Sequence, residues 1–176
     1  MVVVGTALTL TAQGQPPVYS QATVSADGTQ LVVTRSNGTR LPVPRSEGQQ
    51  GFAKARISSD RRYAGWLEMH SNVGASYPQP IGLTVLDPSN HSHQFGGDFG
   101  MVSGWCFGPQ RNTLVYACSF PHGATAVGFD MRRVGDGKLL RRFRLDPPQP
   151  DENQDELVQK ATPSWMRCAW SDARSQ

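Results

Sequence analysis

Short apolar segments alternate with polar turns along most of this chain. Residues 24–33 (VSADGTQLVV) place an apolar residue before an Asp-Gly turn and an apolar segment after it. Residues 57–67 (ISSDRRYAGWL) and 107–116 (FGPQRNTLVY) repeat this order, and residues 169–174 (AWSDAR) resemble a degraded fourth copy. Ser and Asp side chains cap such turns, while Gly or a polar residue takes the difficult backbone conformation. The pattern therefore predicts a series of tight β-hairpins.

Further strand-like segments follow the hairpins. Residues 126–131 and 138–145, for example, flank a Gly-Asp-Gly turn at 135–137. The copies begin 33 and 50 residues apart, at positions 24, 57 and 107, and four strands in about 40–50 residues is typical of a propeller blade. We predict an all-β protein of antiparallel meanders, with about three full blade-like units and a partial fourth, forming either a small β-propeller-like ring or an open blade array.

Composition agrees with a turn-rich β-protein. The chain has 176 residues, of which 18 are Gly and 13 are Pro, so long helices are disfavoured. No apolar run approaches the roughly 20 residues needed to cross a bilayer as a helix, so we expect no membrane span. We predict one domain over residues 15–176, with a Pro- and acid-rich loop at 146–163 that carries at most one helical turn.

The N-terminal segment has two interpretations. Residues 1–14 include a short apolar stretch (VVVGTALTLTA) and end in Ala-Gln-Gly, which resembles a small-x-small signal-peptidase site. The positively charged start of a secretory signal is missing, and the alternation of Val, Leu and Thr also suits a first β-strand. We favour export and predict a periplasmic or secreted location.

Three cysteines allow one structural disulfide in an oxidising compartment. They are Cys106, Cys118 and Cys168. All three pairings are open, and we favour Cys106–Cys118 because these residues are close in sequence; the remaining thiol is expected to be buried. No close-spaced cysteine pair suggests a zinc or redox site.

Positive charge is concentrated in one segment. The chain has 14 Arg and 3 Lys and a net charge of +3, and six of these cations lie in residues 132–144, directly before an acidic stretch at 146–156. A solvated hairpin beside an acidic loop explains this pattern. Because arginine pairs well with carboxylates, the segment fits an acidic protein partner at least as well as DNA, and we predict no nucleic-acid partner.

Few residues suggest catalysis, and no cofactor motif is present. Phosphate-cradling glycine loops and the Gly-x-Ser-x-Gly elbow are both missing from the sequence. His91 and His93 could form half of a metal site, but the preceding Pro-Ser-Asn favours a polar turn. His122, in Pro-His-Gly, could act with Asp130 in a hydrolase, although a rigid turn is the simpler interpretation. We predict no enzyme activity, no metal and no cofactor.

Two resemblances add to this interpretation. The Ser-x-Asp-Gly hairpins resemble the repeats of TolB-type and WD40-like propellers. Residues 52–145 also resemble a group of uncharacterised exported bacterial proteins, which implies an architecture but no activity. The second resemblance rests on Gly65-Trp66, Ser76-Tyr77-Pro78-Gln79-Pro80, Trp105-Cys106-Phe107, Pro121-His122-Gly123 and the hairpin from Phe129-Asp130 to Gly137-Lys138-Leu139. The present chain departs from this group in residues 146–163 and in its extra C-terminal copy.

The remaining aromatic residues divide into core and surface. The predicted core members are Trp66, Trp105, Phe107, Tyr116 and Phe129, because they lie on strand-like segments. Tyr77 lies instead on a loop shaped by Gly and Pro, where a Tyr can anchor a protein partner; folding back over a blade is the alternative.

We therefore predict a non-catalytic protein-binding module of the bacterial envelope. One concrete version is an inhibitor or immunity protein that inserts a loop into the cleft of a partner enzyme. The alternatives are an envelope hydrolase that uses His122 and an accessory subunit of an envelope complex. The loops at 71–80 and 119–125 are the candidate contact regions, and the candidate contact residues are Asn72, Ser76, Tyr77, Gln79, Phe120 and His122.

Overall fold

Eleven antiparallel strands form three sheets in the computed structural model, which describes residues 18–71, 76–96, 100–119, 127–145 and 163–173 together with Asn153 and Glu156. Sheet 1 contains β1 (Tyr19–Val24), β2 (Leu31–Arg35) and β3 (Arg40–Pro42). Sheet 2 contains β4 (Gln49–Ile57), β5 (Ala64–His70), β6 (Gln79–Leu86) and β7 (Ser92–Gly96). Sheet 3 contains β8 (Met101–Phe107), β9 (Thr113–Ser119), β10 (Val127–Arg133) and β11 (Leu139–Leu145). A 3₁₀ turn (Ser164–Met166) precedes helix α1 (Arg167–Ala173).

Each sheet is a meander in which strands adjacent in sequence are also adjacent in space. The prediction of an all-β protein built from antiparallel meanders is confirmed. Within the described residues the strands form an open array of blade-like sheets and no closed barrel. The predictions for residues 1–14 and for most of the 146–163 loop lie outside the described residues.

The prediction that the C-terminal segment forms a fourth copy of the hairpin is wrong, because Arg167–Ala173 forms helix α1. Its sequence, RCAWSDA, contains no β-branched residue and no Gly for a tight turn, so the local preference for a strand is weak. The helix also lies against Gly104, where a side-chain Cβ would come within 2.4 Å of the Ala169 carbonyl oxygen. Close packing on a glycine therefore favours a helix at this position.

The first two hairpin turns share one hydrogen-bond arrangement. The Ser25 hydroxyl donates to Asp27 at 2.5 Å, and the Ser58 hydroxyl donates to Asp60 at 2.7 Å. In both turns the residue after the Asp has a positive φ, of 72° and 57°. Hydrogen bonds from Ser25 and from the Thr29 backbone and hydroxyl lower the pKa of Asp27 to about 2. The predicted role of Asp27 and Asp60 as turn caps is confirmed.

The same turns join sheet 1 to sheet 2 at both of its ends. The carbonyl of Gly28 accepts a hydrogen bond from the Phe52 backbone N–H at 2.8 Å. At the other end, the carbonyl of Arg61 accepts the backbone N–H groups of Val18 and Tyr19, each at 2.9 Å. The positive φ of Gly28 and Arg61 thus turns each carbonyl towards a strand of the other sheet.

Three apolar layers stabilise the stack. Successive residues of a strand point to opposite faces of its sheet. Sheets 2 and 3 therefore each contribute to two layers. Sheets 1 and 2 enclose Tyr19, Leu31, Val33, Phe52, Ala64 and Trp66. Sheets 2 and 3 enclose Leu67, Leu83, Val85, Phe95, Trp105, Leu114 and Tyr116, among others. Sheet 3 and the helical segment enclose Cys106, Val115, Ala117, Phe129, Met131, Met166 and Ala169, among others. The predicted core aromatics are buried, except Phe107, which is half-buried.

The disulfide joins Cys106 to Cys168, with their Cα atoms 5.9 Å apart, so the favoured Cys106–Cys118 pairing is wrong. Cys106 and Cys118 lie on neighbouring strands, but their side chains enter different layers. Cys118 is part of the layer between sheets 2 and 3, whereas Cys106 lies under the helical segment. The buried thiol that the sequence predicted is Cys118.

A buried ion cluster connects sheet 2, sheet 3 and α1. The Asp172 carboxylate, whose side chain is 6% exposed, contacts the Lys54 ammonium at 3.4 Å and the Arg56 guanidinium. The backbone N–H of Trp105 donates to the same carboxylate at 3.1 Å, and the Trp105 indole N–H donates to the Lys54 carbonyl at 3.0 Å. Burial lowers the pKa of Lys54, and the Asp172 charge opposes that shift.

We expect Asp172→Asn to destabilise the protein by about 3 kcal/mol, because it leaves two partly buried cations without their shared carboxylate. Asp136→Asn is the matched control, since Asp136 is half-exposed and pairs with Arg133 at the surface, where less than about 1 kcal/mol is expected. Urea unfolding of both variants measures the difference. Equal losses in the two variants would contradict a central role for Asp172.

The disulfide closes a loop of 62 residues, which corresponds to about 4 kcal/mol in the chain-entropy model. A reducing agent should therefore lower the free energy of unfolding of the wild-type protein and of Cys118→Ala alike. The double variant Cys106→Ala/Cys168→Ala should be insensitive to it. If Cys118→Ala proved insensitive and the double variant sensitive, the pairing described here would be wrong.

Candidate functional site

Tyr77 is the most exposed large apolar side chain among the described residues, at 64%. Only Pro78 separates it from β6, and its neighbour Ser76 is also exposed. The sequence left open whether Tyr77 is displayed or folded back over a blade, and the structure places its side chain at the surface. Leu139, at 36%, is the other exposed large apolar side chain in the part of the chain that the structure describes, and it lies on the outermost strand of sheet 3.

Gln79 differs from its prediction as an exposed contact residue. It is the first residue of β6, pairs in register with His70, and is only 3% exposed. Strand pairing places its side chain inside the sheet stack, so it supports the loop instead of extending its surface. The other three predicted contact residues, Asn72, Phe120 and His122, lie outside the described residues and remain predictions.

The two predicted contact loops leave the sheets at the same end. The turns at 58–63 and 108–113 face each other across a cavity of about 50 Å³, which marks one end of sheets 2 and 3. The strand ends His70 and Gln79 in sheet 2, and Ser119 and Val127 in sheet 3, lie at the opposite end. The topology therefore brings the attachment points of both loops to one end of the array.

A second cluster of polar groups surrounds Asp130 on β10. Its carboxylate accepts two hydrogen bonds from Arg142, both at 2.9 Å, one from Arg132 at 2.9 Å and one from Arg144 at 3.0 Å. Arg132 also donates to the Tyr116 hydroxyl at 2.8 Å. Register explains the arrangement, because Tyr116, Asp130 and Arg142 are direct cross-strand neighbours and share one face.

The guanidinium groups fix the charge of this cluster. Burial alone raises the pKa of Asp130, but the hydrogen bonds from Arg142 and Arg132 outweigh it and hold the pKa at about 2. Burial, reinforced by the Asp130 charge, raises the pKa of Tyr116 well above its usual range. A carboxylate with such a low pKa is a weak general base at neutral pH. The geometry thus favours a structural role for Asp130 over the pairing with His122 that a hydrolase would use.

The two neighbouring histidines lie around a carboxylate in the turn between β6 and β7. His93 Nε2 is 3.2 Å and His91 Nδ1 is 3.5 Å from Asp87 Oδ2. Asp87 Oδ1 accepts the backbone N–H groups of Ser89 and His91, and the buried Tyr19 hydroxyl donates to the Asp87 carbonyl at 2.6 Å. Burial by itself would raise the pKa of Asp87. The hydrogen bonds from His91, His93 and Ser89 outweigh burial and lower this pKa. The cluster stabilises the turn and its contact with sheet 1.

No group of three or more ligating side chains fit to hold a metal ion was found among the residues that the structure describes. A search for membrane spans found no described helix that is both long and apolar enough to cross a bilayer.

One polar cleft was not predicted from the sequence. It has a volume of about 250 Å³ and lies over β5, β6 and β7, where the Thr84 hydroxyl donates to Glu68 at 2.6 Å and His70 Nε2 is 3.6 Å from the same carboxylate. Gly82 and Gly96 are in register beside Glu68 and leave the space open. The sequence feature that could have indicated this cleft is the pair of glycines at facing positions. This pair can be recognised only once the strand register is known.

Comparisons with known proteins add no relative. No protein-family model matches the chain, and no curated protein is similar to it in sequence. The resemblance to TolB-type and WD40-like propellers stays a prediction, and function must be argued from the geometry.

The Asp130 cluster predicts a defined pH dependence. Because the pKa of Asp130 in the folded protein, about 2, lies below its value of about 3.9 in an unfolded chain, its contribution is fully present above about pH 5 and is lost as the pH falls towards 2. The stability difference between the wild-type protein and Asp130→Asn should therefore shrink by about 2 kcal/mol over this range. Urea unfolding at pH 5 and pH 2.5 measures it. A constant difference would show that the arginines do not hold the carboxylate in its charged form.

Proposed function

We propose that this protein is a non-catalytic protein-binding module, and that it contacts its partner with the end of the array that carries Tyr77. The observation that carries the proposal is the display of a large aromatic side chain, 64% exposed, directly beside a buried strand. Such a side chain offers a large contact area, and Tyr is enriched among the residues that dominate protein interfaces.

The attachment of Tyr77 supports this role. Pro78 restricts the backbone next to it, and Gln79 and Pro80 are buried at the start of β6. A residue whose neighbours are already fixed loses less conformational freedom on binding than one in a free chain. Tyr77 therefore combines exposure with a pre-organised position, which is what an anchor residue needs.

The charged clusters of the described residues favour binding over catalysis. Asp130 is occupied by three arginines, Asp172 by Lys54 and Arg56, and Asp87 by the groups of its own turn. The pKa values of Asp87 and Asp130 are lowered, whereas a general acid or base at neutral pH needs a raised one. Their contacts suit a rigid scaffold that presents loops.

The disulfide supports the proposed location. A bond between Cys106 and Cys168 persists in oxidising compartments such as the periplasm or the extracellular space. Together with the loops gathered at one end, this favours an envelope protein that acts as an inhibitor or immunity protein and inserts the Tyr77 loop into the cleft of an enzyme.

We expect Tyr77→Ala to weaken partner binding at least tenfold, because an anchor side chain contributes about 2 kcal/mol or more. Tyr77→Phe should retain most of the affinity. Leu139→Ala is the matched control, since it removes an exposed apolar side chain from a different sheet. The partner is captured from envelope extract with the wild-type protein, and its Kd for each variant is measured by calorimetry.

Unchanged urea midpoints must accompany these measurements, so that lost binding does not reflect unfolding. Equal affinity of Tyr77→Ala and the wild-type protein would contradict the proposed contact surface.

A further inference from the structure

A groove of about 620 Å³ lies between the outer face of sheet 3 and the C-terminal helical segment. Its floor and walls include Met131 from β10, Phe107 from β8 and Trp165 from the 3₁₀ turn. It opens beside the turn between β8 and β9, at the end of the sheets opposite the strand ends next to Tyr77. The groove is therefore separate from the proposed contact surface.

Two arginines line this groove. Arg141 extends from β11, and Arg167 is the first residue of α1. Both are exposed, and within the described part of the chain neither guanidinium forms a hydrogen bond or an ion pair. The neighbouring Arg142 and Arg144 bind Asp130 on the opposite face of the same sheet. Alternation along β11 thus turns Arg141 towards the groove and away from this carboxylate.

The groove offers apolar surface as well as charge. Half-buried Trp165 and Phe107 supply this accessible apolar surface, whereas Met131 is only 1% exposed and closes the floor. Its volume falls within the range of about 300–1,000 Å³ that is usual for ligand sites. Aromatic residues and arginine are also enriched at protein interfaces. An occupant that suits this groove has an apolar side chain flanked by carboxylates.

We propose that this groove binds a short acidic segment of a protein partner. In this complex an apolar side chain of the segment lies against Trp165, and its carboxylates pair with Arg141 and Arg167. Charge complementarity supports this occupant, because the chain carries a net charge of +3 and guanidinium groups bind carboxylates in a two-pronged geometry. A nucleic acid suits the groove less well, since it needs a continuous basic stripe along its phosphates, whereas here two cations flank an apolar floor.

The test uses the full-length protein and the peptide DEDFDED-NH₂ with fluorescein on its N-terminal amine, and binding is followed by fluorescence anisotropy at low salt. We expect Arg141→Gln and Arg167→Gln each to weaken binding about tenfold, as is typical when a charge pair is removed from an interface. Arg40→Gln is the matched control, because Arg40 is an exposed arginine on sheet 1, at the far side of the stack. Urea midpoints confirm that the variants fold.

The position of the peptide is read from NMR spectra, in which the Trp165 indole N–H resonance should shift on binding. A peptide with Ser in place of Phe should bind at least fivefold more weakly. The proposal would be overturned if both arginine variants bound the peptide as tightly as the wild-type protein does. It would also be overturned if the Phe and Ser peptides bound equally well, because binding would then reflect unspecific charge attraction.

Two further outcomes would assign the groove to another occupant and overturn the proposal. One is tighter, arginine-dependent binding of a single-stranded DNA oligonucleotide of equal charge. The other is a gain of tenfold or more in peptide affinity when four acidic residues of this chain are replaced by their amides. Such a gain would mean that the chain's own acidic segment occupies the groove in the wild-type protein. The four residues are Asp151, Glu152, Asp155 and Glu156.

Discussion

The buried carboxylate of Asp172 connects three parts of this molecule that lie far apart in sequence. It receives Lys54 and Arg56 from sheet 2 and the backbone N–H of Trp105 from sheet 3, while belonging itself to helix α1. Removing one member of such a cluster leaves the others buried and uncompensated. The cluster therefore sets where the helix lies, and Gly104 and the disulfide determine how closely it can approach. The helical segment in turn covers apolar residues on the outer face of sheet 3.

Charged groups in the described residues divide into those that stabilise the scaffold and those that remain available. Asp130 neutralises part of the arginine-rich hairpin, so the basic segment seen in the sequence is in large part an internal ion cluster. Arg141, one position from Arg142, projects to the other face of the sheet and lines the groove. A simple count of positive residues cannot make this distinction, because it depends on which side of a strand each side chain lies. The two surfaces proposed for binding lie at opposite ends of the sheets: an aromatic anchor at one and an apolar groove with two arginines at the other.

Local signals were enough to place Tyr77 on a loop, but they did not predict the burial of Gln79 or the Glu68 cleft. Tyr77 was recognisable because Ser, Pro and Gly around it predict a loop, and the structure leaves it exposed. Gln79 belongs to the same short motif but starts a strand, and pairing with His70 buries it. The Glu68 cleft depends on Gly82 and Gly96 facing each other across two strands. Register between strands is set by packing of the whole sheet, so neither result could be obtained from the residues in order.

The sequence by itself determined the local structure: the Asp-bearing turns, the short alternating strands and the meander class, because each depends on residues within about ten positions of one another. Tertiary structure decided how the last segment folds and which cysteines join. Cys106 and Cys118 are close in sequence, yet the pleat directs them into different layers. Residues 169–174 resemble the hairpin pattern only weakly, and close packing on Gly104 and a buried ion pair favour a helix there. Both outcomes depend on contacts between residues more than 60 positions apart, as in the 62-residue separation of the disulfide, and no local pattern encodes them.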